Sequence, residues 1–163
     1  LPKERSDIRG DRQDPLNLQY AGPLDWLSSR LVGSGWQPAK ALSWNNSLHL
    51  LSPSQPLQQL PVLPQVHDGR HEALLLEKGL PGDRRLVLRL WQSGVRLAPG
   101  GMPVWIGNVS EQHQVRIINL VTLAATDRDF SVPFQIFTDD LAKLPVGTAK
   151  QVNGRVFVRA LLY

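Results

Sequence analysis

Arg84-Arg85-Leu86-Val87-Leu88-Arg89-Leu90-Trp91-Gln92 decides the fold class. Leu86, Leu88 and Leu90 recur at every second position and so share one face of a strand. Arg85, Val87, Arg89 and Trp91 share the other. Pro81-Gly82-Asp83 lies just before this run. Pro99-Gly100-Gly101 lies just after a further strand-like piece at 95–97. Both triplets read as hairpin turns, because Pro presets the first turn position and Gly supplies positive φ. Strand-like runs at 73–78, 103–109, 115–124, 130–137 and 155–162 extend the pattern outward. The expectation is an α+β domain: mainly antiparallel β-sheet with one or two helices packed on one face.

The helices come from the same kind of spacing. In 23–31, Leu24, Leu27 and Leu31 fall at helical intervals, Pro23 suits a first turn and Asp25 favours the N-terminal dipole. Gly33 and Gly35 terminate this helix, and Trp36 follows so closely that the chain must turn back onto it. Leu24, Leu27, Leu31 and Trp36 should therefore cover the face of Leu86, Leu88 and Leu90. A second helix is expected at 138–144, with Thr138 as N-cap and Asp139 and Asp140 in its first turn. Residues 41–44 read as a short strand. Pro53, Pro56, Pro61 and Pro64, interleaved with Leu57, Leu60 and Leu63, exclude a central strand or long helix there. They describe an ordered segment draped over the core. Residues 1–14 alternate charges around Ile8 and read as a charged, solvated linker to something upstream. A strand follows at 16–20, and 15–163 reads as a single domain.

Composition narrows the function classes. The chain has 163 residues, enough for one domain with a proper core. With no Cys, a disulfide scaffold, a Cys-ligated metal and a thiol nucleophile are all excluded. Its apolar runs fall far short of the roughly 20 residues that span a bilayer. The start carries no signal-peptide h-region, as expected of a soluble piece of something longer. Net charge is +4, and 13 of the 18 cations are Arg, the residue suited to phosphate and carboxylate. Those cations are scattered without a nucleic-acid-binding motif, so nucleic acid is not an expected partner.

The densest polar cluster is His67-Asp68-Gly69-Arg70-His71-Glu72. His67 and His71, four apart, would serve a metal only on a helix, whereas Asp68-Gly69 marks a turn. No metal or cofactor is therefore assigned. As a phosphate site, Arg70 and His67 would donate beside the Gly69 amide, although turn chemistry alone accounts for Asp68-Gly69. Asp127 and Asp129 read as a turn, and Asp139 and Asp140 as a helix start. Ser110-Glu111-Gln112-His113 reads as a loop without the oriented hydrogen bonds a triad needs. No catalytic residue is assigned. Trp91 and Trp105, on adjacent strands, would form either an aromatic patch flanked by Arg89 or part of the core. Candidate ligand-binding residues are thus His67, Asp68, Arg70, Arg89, Trp91 and Trp105.

Five pieces occur in a distinctive order. Ala21-Gly22-Pro23-Leu24-Asp25 leads through a helix to Gly35-Trp36. Then come Leu60-Pro61 with Leu63-Pro64, then His67-Asp68-Gly69-Arg70, then Arg89-Leu90-Trp91, then Trp105-Ile106-Gly107. Over about residues 15–125 this order resembles the LssY C-terminal domain family. The resemblance implies an accessory domain carried with DedA-like and type 2 phosphatidic acid phosphatase-like membrane segments. Its setting would be the bacterial inner membrane, on a side not fixed though periplasmic by preference. Implied partners are the parent's own membrane segments, an anionic lipid or polyprenyl phosphate, and an envelope protein, with a link to type I secretion. The phosphatase pattern itself is absent, since no Ser-Gly-His occurs. The reading is a non-catalytic accessory domain. Its alternative is a small hydrolase or metal-dependent enzyme centred on residues 67–72.

Overall fold

A computed structural model describes residues 1–39, 56–117, 121–142, 147–153 and 156–162. In chain order the elements are β1 (Glu4–Ser6), β2 (Arg12–Pro15), β3 (Leu18–Ala21), helix α1 (Leu24–Val32) and β4 (Gln37–Pro38). A 3-10 turn (Leu57–Gln59) precedes β5 (Val66–His67), β6 (Arg70–His71), β7 (Leu74–Leu80), β8 (Arg84–Leu97), β9 (Met102–Ile117) and β10 (Val121–Thr126). Helix α2 (Ser131–Ala142), β11 (Gly147–Asn153) and β12 (Val156–Leu162) follow. One large sheet has the order β11-β12-β3-β9-β8-β7-β4, with β10 also on β9. Every pairing in it is antiparallel except β12 with β3. The expected α+β architecture is present.

Strand β9 is the spine. Along one edge it pairs with β8; on the other, β3 takes residues 104–107 and β10 takes 112–117. Between those two partners the edge of β9 is closed by a side chain. Asn17 accepts from the Val109 amide at 3.0 Å and donates to the Val109 carbonyl at 3.2 Å. A buried backbone pair left open would cost about as much as a lost hydrogen bond, and this amide substitutes for a neighbouring strand.

The leucine face carries the main core. Leu86, Leu88 and Leu90 pack with Leu27 and Leu31 of α1, Trp36, and Phe137 and Leu141 of α2; Leu24 is partly buried against them. Gly35, at φ +87°, lets the chain reverse so that Trp36 returns under the helix. The indole of Trp36 meets Phe137 edge-on at 5.7 Å and donates to Asp140 Oδ2 at 3.0 Å. Lys78 Nζ reaches the same carboxylate at 2.7 Å. Asp140 thereby ties α2 to β7 and to the end of α1. Leu27 is fully enclosed. Leu27→Ala is expected to lower stability by about 2–5 kcal/mol in urea unfolding, the range for a truncated buried Leu. A change within about 0.5 kcal/mol, typical of surface sites, would contradict this packing.

Four expectations are corrected. Residues 130–137 are not a strand, and the helix does not start at Thr138; one helix covers Ser131–Ala142. Its start is set by Asp129, whose Oδ1 accepts from Ser131 N at 2.8 Å and Ser131 Oγ at 2.5 Å. Pro133 sits in the first turn, where its missing N–H costs nothing. Pro133, Phe137 and Leu141 are buried at fourfold spacing, and Asp139 and Asp140 lie late in the helix. Secondly, 84–92 and 95–97 form one strand with a register shift between Gln92 and Arg96. Thirdly, Ser110-Glu111-Gln112-His113 is in β9, not a loop. Fourthly, the charged stretch 1–14 is folded: β1 and β2 form a hairpin. Asp7 Oδ1 makes its turn by accepting from the amides of Arg9 (2.8 Å) and Asp11 (2.9 Å). The strand expected at 41–44 lies outside the described residues.

Candidate functional site

The opposite face of β8 carries Arg89 and Trp91, with His67 against the latter, and it is not open to solvent. The proline-rich segment from Pro56 to Pro64 lies over it, with Leu57, Leu60 and Val62 buried. Arg85 fastens that segment. Its Nη1 donates to the carbonyls of Leu57 (3.2 Å) and Leu60 (2.6 Å) and to Glu77 Oε2 (3.1 Å). Nη2 reaches the Pro61 carbonyl at 3.3 Å, and Nε reaches Gln112 Oε1 at 2.9 Å. Burial pulls its pKa below the ordinary arginine value, and the Glu77 charge and hydrogen bond oppose that shift.

Arg89, two pleat repeats further along the same face, does the same for the next stretch. Its Nη2 donates to the Leu63 carbonyl at 3.3 Å, and Nε stands 3.3 Å from Glu72 Oε1. Burial lowers its pKa to about 10, with Glu72 and Asp14 opposing, so it remains a cation at neutral pH. Glu72 Oε1 is also held by the Gln65 amide at 2.6 Å. His67 lies over the edge of Trp91, with ring centroids 5.9 Å apart, and its Nδ1 accepts from the Ser6 amide at 3.1 Å. From β1, Arg5 donates to the Val66 carbonyl at 2.7 Å. The N-terminal hairpin is therefore docked on the β5–β6 hairpin.

Residues 67–70 form the expected turn, with Asp68 and Gly69 both at positive φ (50° and 72°), as a two-residue hairpin loop requires. His67 pairs with Arg70, and Val66 with His71, so the two histidines alternate across a ribbon instead of sharing a helical face. His67 is buried while Asp68, Arg70 and His71 are exposed. Among the described residues no three His, Asp or Glu side chains gather as a metal set.

Of the two readings of Trp91 and Trp105, an aromatic patch or part of the core, the register separates the rings and places them on opposite faces. Trp91 pairs with Ile106, and Trp105 pairs with Gln92. Residues directly opposite share a face, so Trp91 belongs to the arginine face and Trp105 to the leucine face. Trp91 is fully buried with Leu16 and Ile106. Trp105 packs partly buried on the main core and donates from Nε1 to the Gly22 carbonyl at 2.8 Å. Arg89 and Trp91 are thus unavailable to a membrane, whereas Arg70 and Asp68 are free of the core.

The exposed feature that the sequence reading did not single out is the far end of the β8–β9 hairpin. Val95 and Leu97 are 44% and 38% exposed and flank Arg96, whose Nη1 donates to the Gly101 carbonyl at 2.8 Å. Below them an apolar groove is lined by Leu1, Tyr20, Ala21, Val95, Leu97 and Val104. The available signal was compositional: residues 84–110 contain no Asp or Glu.

Among the described residues, no helix is long and apolar enough to cross a membrane. No curated protein and no solved structure matches the chain. The family described as the LssY C-terminus matches residues 1–152, which takes in the N-terminal hairpin, the arginine-pinned segment and the β8–β9 hairpin, and the chain belongs to that family.

Proposed function

We propose that this is a non-catalytic accessory domain of a bacterial inner-membrane protein concerned with phospholipid or polyprenyl phosphate handling or with type I secretion. In this reading it contacts phosphorylated lipid at the bilayer surface through the end of the β8–β9 hairpin. The supporting observation is the combination there of exposed Val95 and Leu97, the intervening Arg96 and the lack of any carboxylate from 84 to 110. Apolar side chains at such a tip enter the acyl boundary while an Arg stays with the phosphates. The enzyme reading draws no support from residues 67–72, because His67 and Glu72 are used in holding the hairpins and the arginine face together.

Vesicle co-sedimentation tests this. Vesicles containing phosphatidylglycerol should bind the domain, and pure phosphatidylcholine should bind it little. Val95→Asp with Leu97→Asp should weaken binding at least tenfold. Arg96→Ala should weaken it about fivefold, as expected for roughly 1 kcal/mol per cation at an anionic surface. Raising salt should do likewise. Binding indifferent to these three substitutions and to salt would overturn the proposal. The same preparation is expected to leave generic phosphomonoesters and phosphoanhydrides intact. Turnover that survives purification and is lost in His67→Ala or Arg70→Ala would establish the hydrolase instead.

A further inference from the structure

We infer that His67 is a pH-sensitive latch that holds the β1–β2 hairpin onto the domain above about pH 6.5 and releases it in mild acid. The geometry that carries this is one hydrogen bond. The Ser6 amide donates to Nδ1 of His67 at 3.1 Å, so that nitrogen must carry a lone pair. Protonation puts a hydrogen on Nδ1 and turns an acceptor facing a backbone N–H into a second donor. The contact becomes repulsive, and Ser6 loses its partner in a half-buried place.

Charges of both signs surround the ring. From β1 comes Arg5, which donates to the Val66 carbonyl beside His67, and from β2 comes Asp14, 3.8 Å from Arg5. Asp68 follows in the turn, and Arg70 is the register partner on β6, with His71 next to it on the opposite side of the ribbon. From β8, Trp91 presents its ring and Arg89 is already paired with Glu72. Asp14 and Glu72 are already paired with Arg5 and Arg89, while Asp68 favours a further positive charge on the ring and Arg5 opposes it. Consistently, burial and Arg5 hold the His67 pKa below the ordinary histidine value, against an opposing contribution from Asp68.

The sign follows from linkage. The ring binds a proton more readily when the hairpin is undocked, so docking is fully favoured above the undocked value, near 6.5, and is progressively lost as pH falls below it. What moves is the β1–β2 hairpin, which carries exposed Ile8 and Arg12. What it uncovers is the neighbourhood of Trp91. The inference stands independently of lipid contact.

Amide hydrogen exchange on the whole domain, corrected for intrinsic rates, tests it. Protection of the Ser6 amide should fall at least fivefold from pH 7 to pH 5, while the core amides of Leu88 and Val109 keep theirs. His67→Asn retains an acceptor oxygen in place of Nδ1 and cannot titrate, so its Ser6 protection should be flat over that range. Unchanged Ser6 protection in the parent chain would overturn the latch. So would an equal fall in His67→Asn, which would assign the effect to a carboxylate, or parallel loss at Leu88 and Val109, which would mean global unfolding.

Discussion

Arg85→Met is expected to destabilise the domain by about 3–5 kcal/mol, the range for removing one partner of a buried ion pair. Arg85 is 1% exposed, yet it makes five hydrogen bonds, three of them to carbonyls of the segment that covers its face. The substitution leaves Glu77 buried with a weaker set of donors and orphans the carbonyls of Leu57, Leu60 and Pro61. A double variant separates the two losses. Where only an ion pair is at stake, replacing both partners by apolar residues often returns the stability. Arg85→Met with Glu77→Leu should still fall about 2 kcal/mol short, because the three carbonyls remain without a donor. Arg85→Lys should also fail to restore it, since one ammonium cannot span a planar fork of acceptors. Urea midpoints with unchanged slope give the values, and limited proteolysis should cut near residues 56–63 first. A loss below about 1 kcal/mol, or full recovery in the double variant, would show that the segment is held by apolar contacts alone.

The same strand shows how far the sequence could be read. Alternation in 84–92 was enough to assign a strand and to place Leu86, Leu88 and Leu90 on the core. The spacing of Leu24, Leu27 and Leu31 was enough to find what covers them. Alternation says nothing about whether the second face is wet. Arg85 and Arg89 on a strand ordinarily mean solvent. Here their partners lie about 25 residues upstream in a proline-rich segment, or across the sheet at Gln112, distances that no local period encodes. The prolines did carry a usable signal, because a chain that cannot join the sheet still has carbonyls to satisfy. A buried Arg is well suited to satisfy several at once.

The site was legible only in part for a related reason. Asp68-Gly69 announced its own turn, and the structure keeps it. Pairing Trp91 with Trp105 required the hairpin register to one residue, and a slip of one moves a side chain to the other face. That register is fixed by the β8–β9 pairing and its irregularity between Gln92 and Arg96, neither of which the Pro99-Gly100-Gly101 turn predicts. Residues 130–137 misled in another way. Val132, Phe134, Ile136 and Phe137 have strand-like composition, but Asp129 before Ser131, and Pro133 in what would be mid-strand, were the better guides. In the N-terminal stretch, the high charge concealed an Asp7 turn and a first arm, β1, that docks through Arg5 and Ser6.

Gly107→Ala is expected to cost about 4 kcal/mol or more, among the exceptional single substitutions. The usual sign of Gly→Ala is the reverse, because Ala restricts the unfolded chain and commonly adds about 0.4–1 kcal/mol. Gly107 lies in β9 with Leu18 paired on one side and Leu90 on the other. A Cβ placed there would strike the carbonyl oxygen of Arg89 and come within 2.7 Å of Leu90 Cδ2 and 2.9 Å of the Arg89 carbonyl carbon. The obstacle is backbone, and the strand is bonded along both edges, so it has no direction in which to retreat. Easing Arg89 away would disturb its ion pair with Glu72 and its bond to the Leu63 carbonyl on the far face. Both faces of the sheet therefore register one added methyl group. Gly79→Ala in β7 is the control: a Cβ there meets nothing within 4 Å, so its stability should move by no more than about 0.5 kcal/mol. Equal stabilities for the two variants would mean that the central ladder yields easily. A large loss confined to Gly107→Ala would give the Trp105-Ile106-Gly107 run its physical reason: β8 and β9 approach too closely there for any side chain.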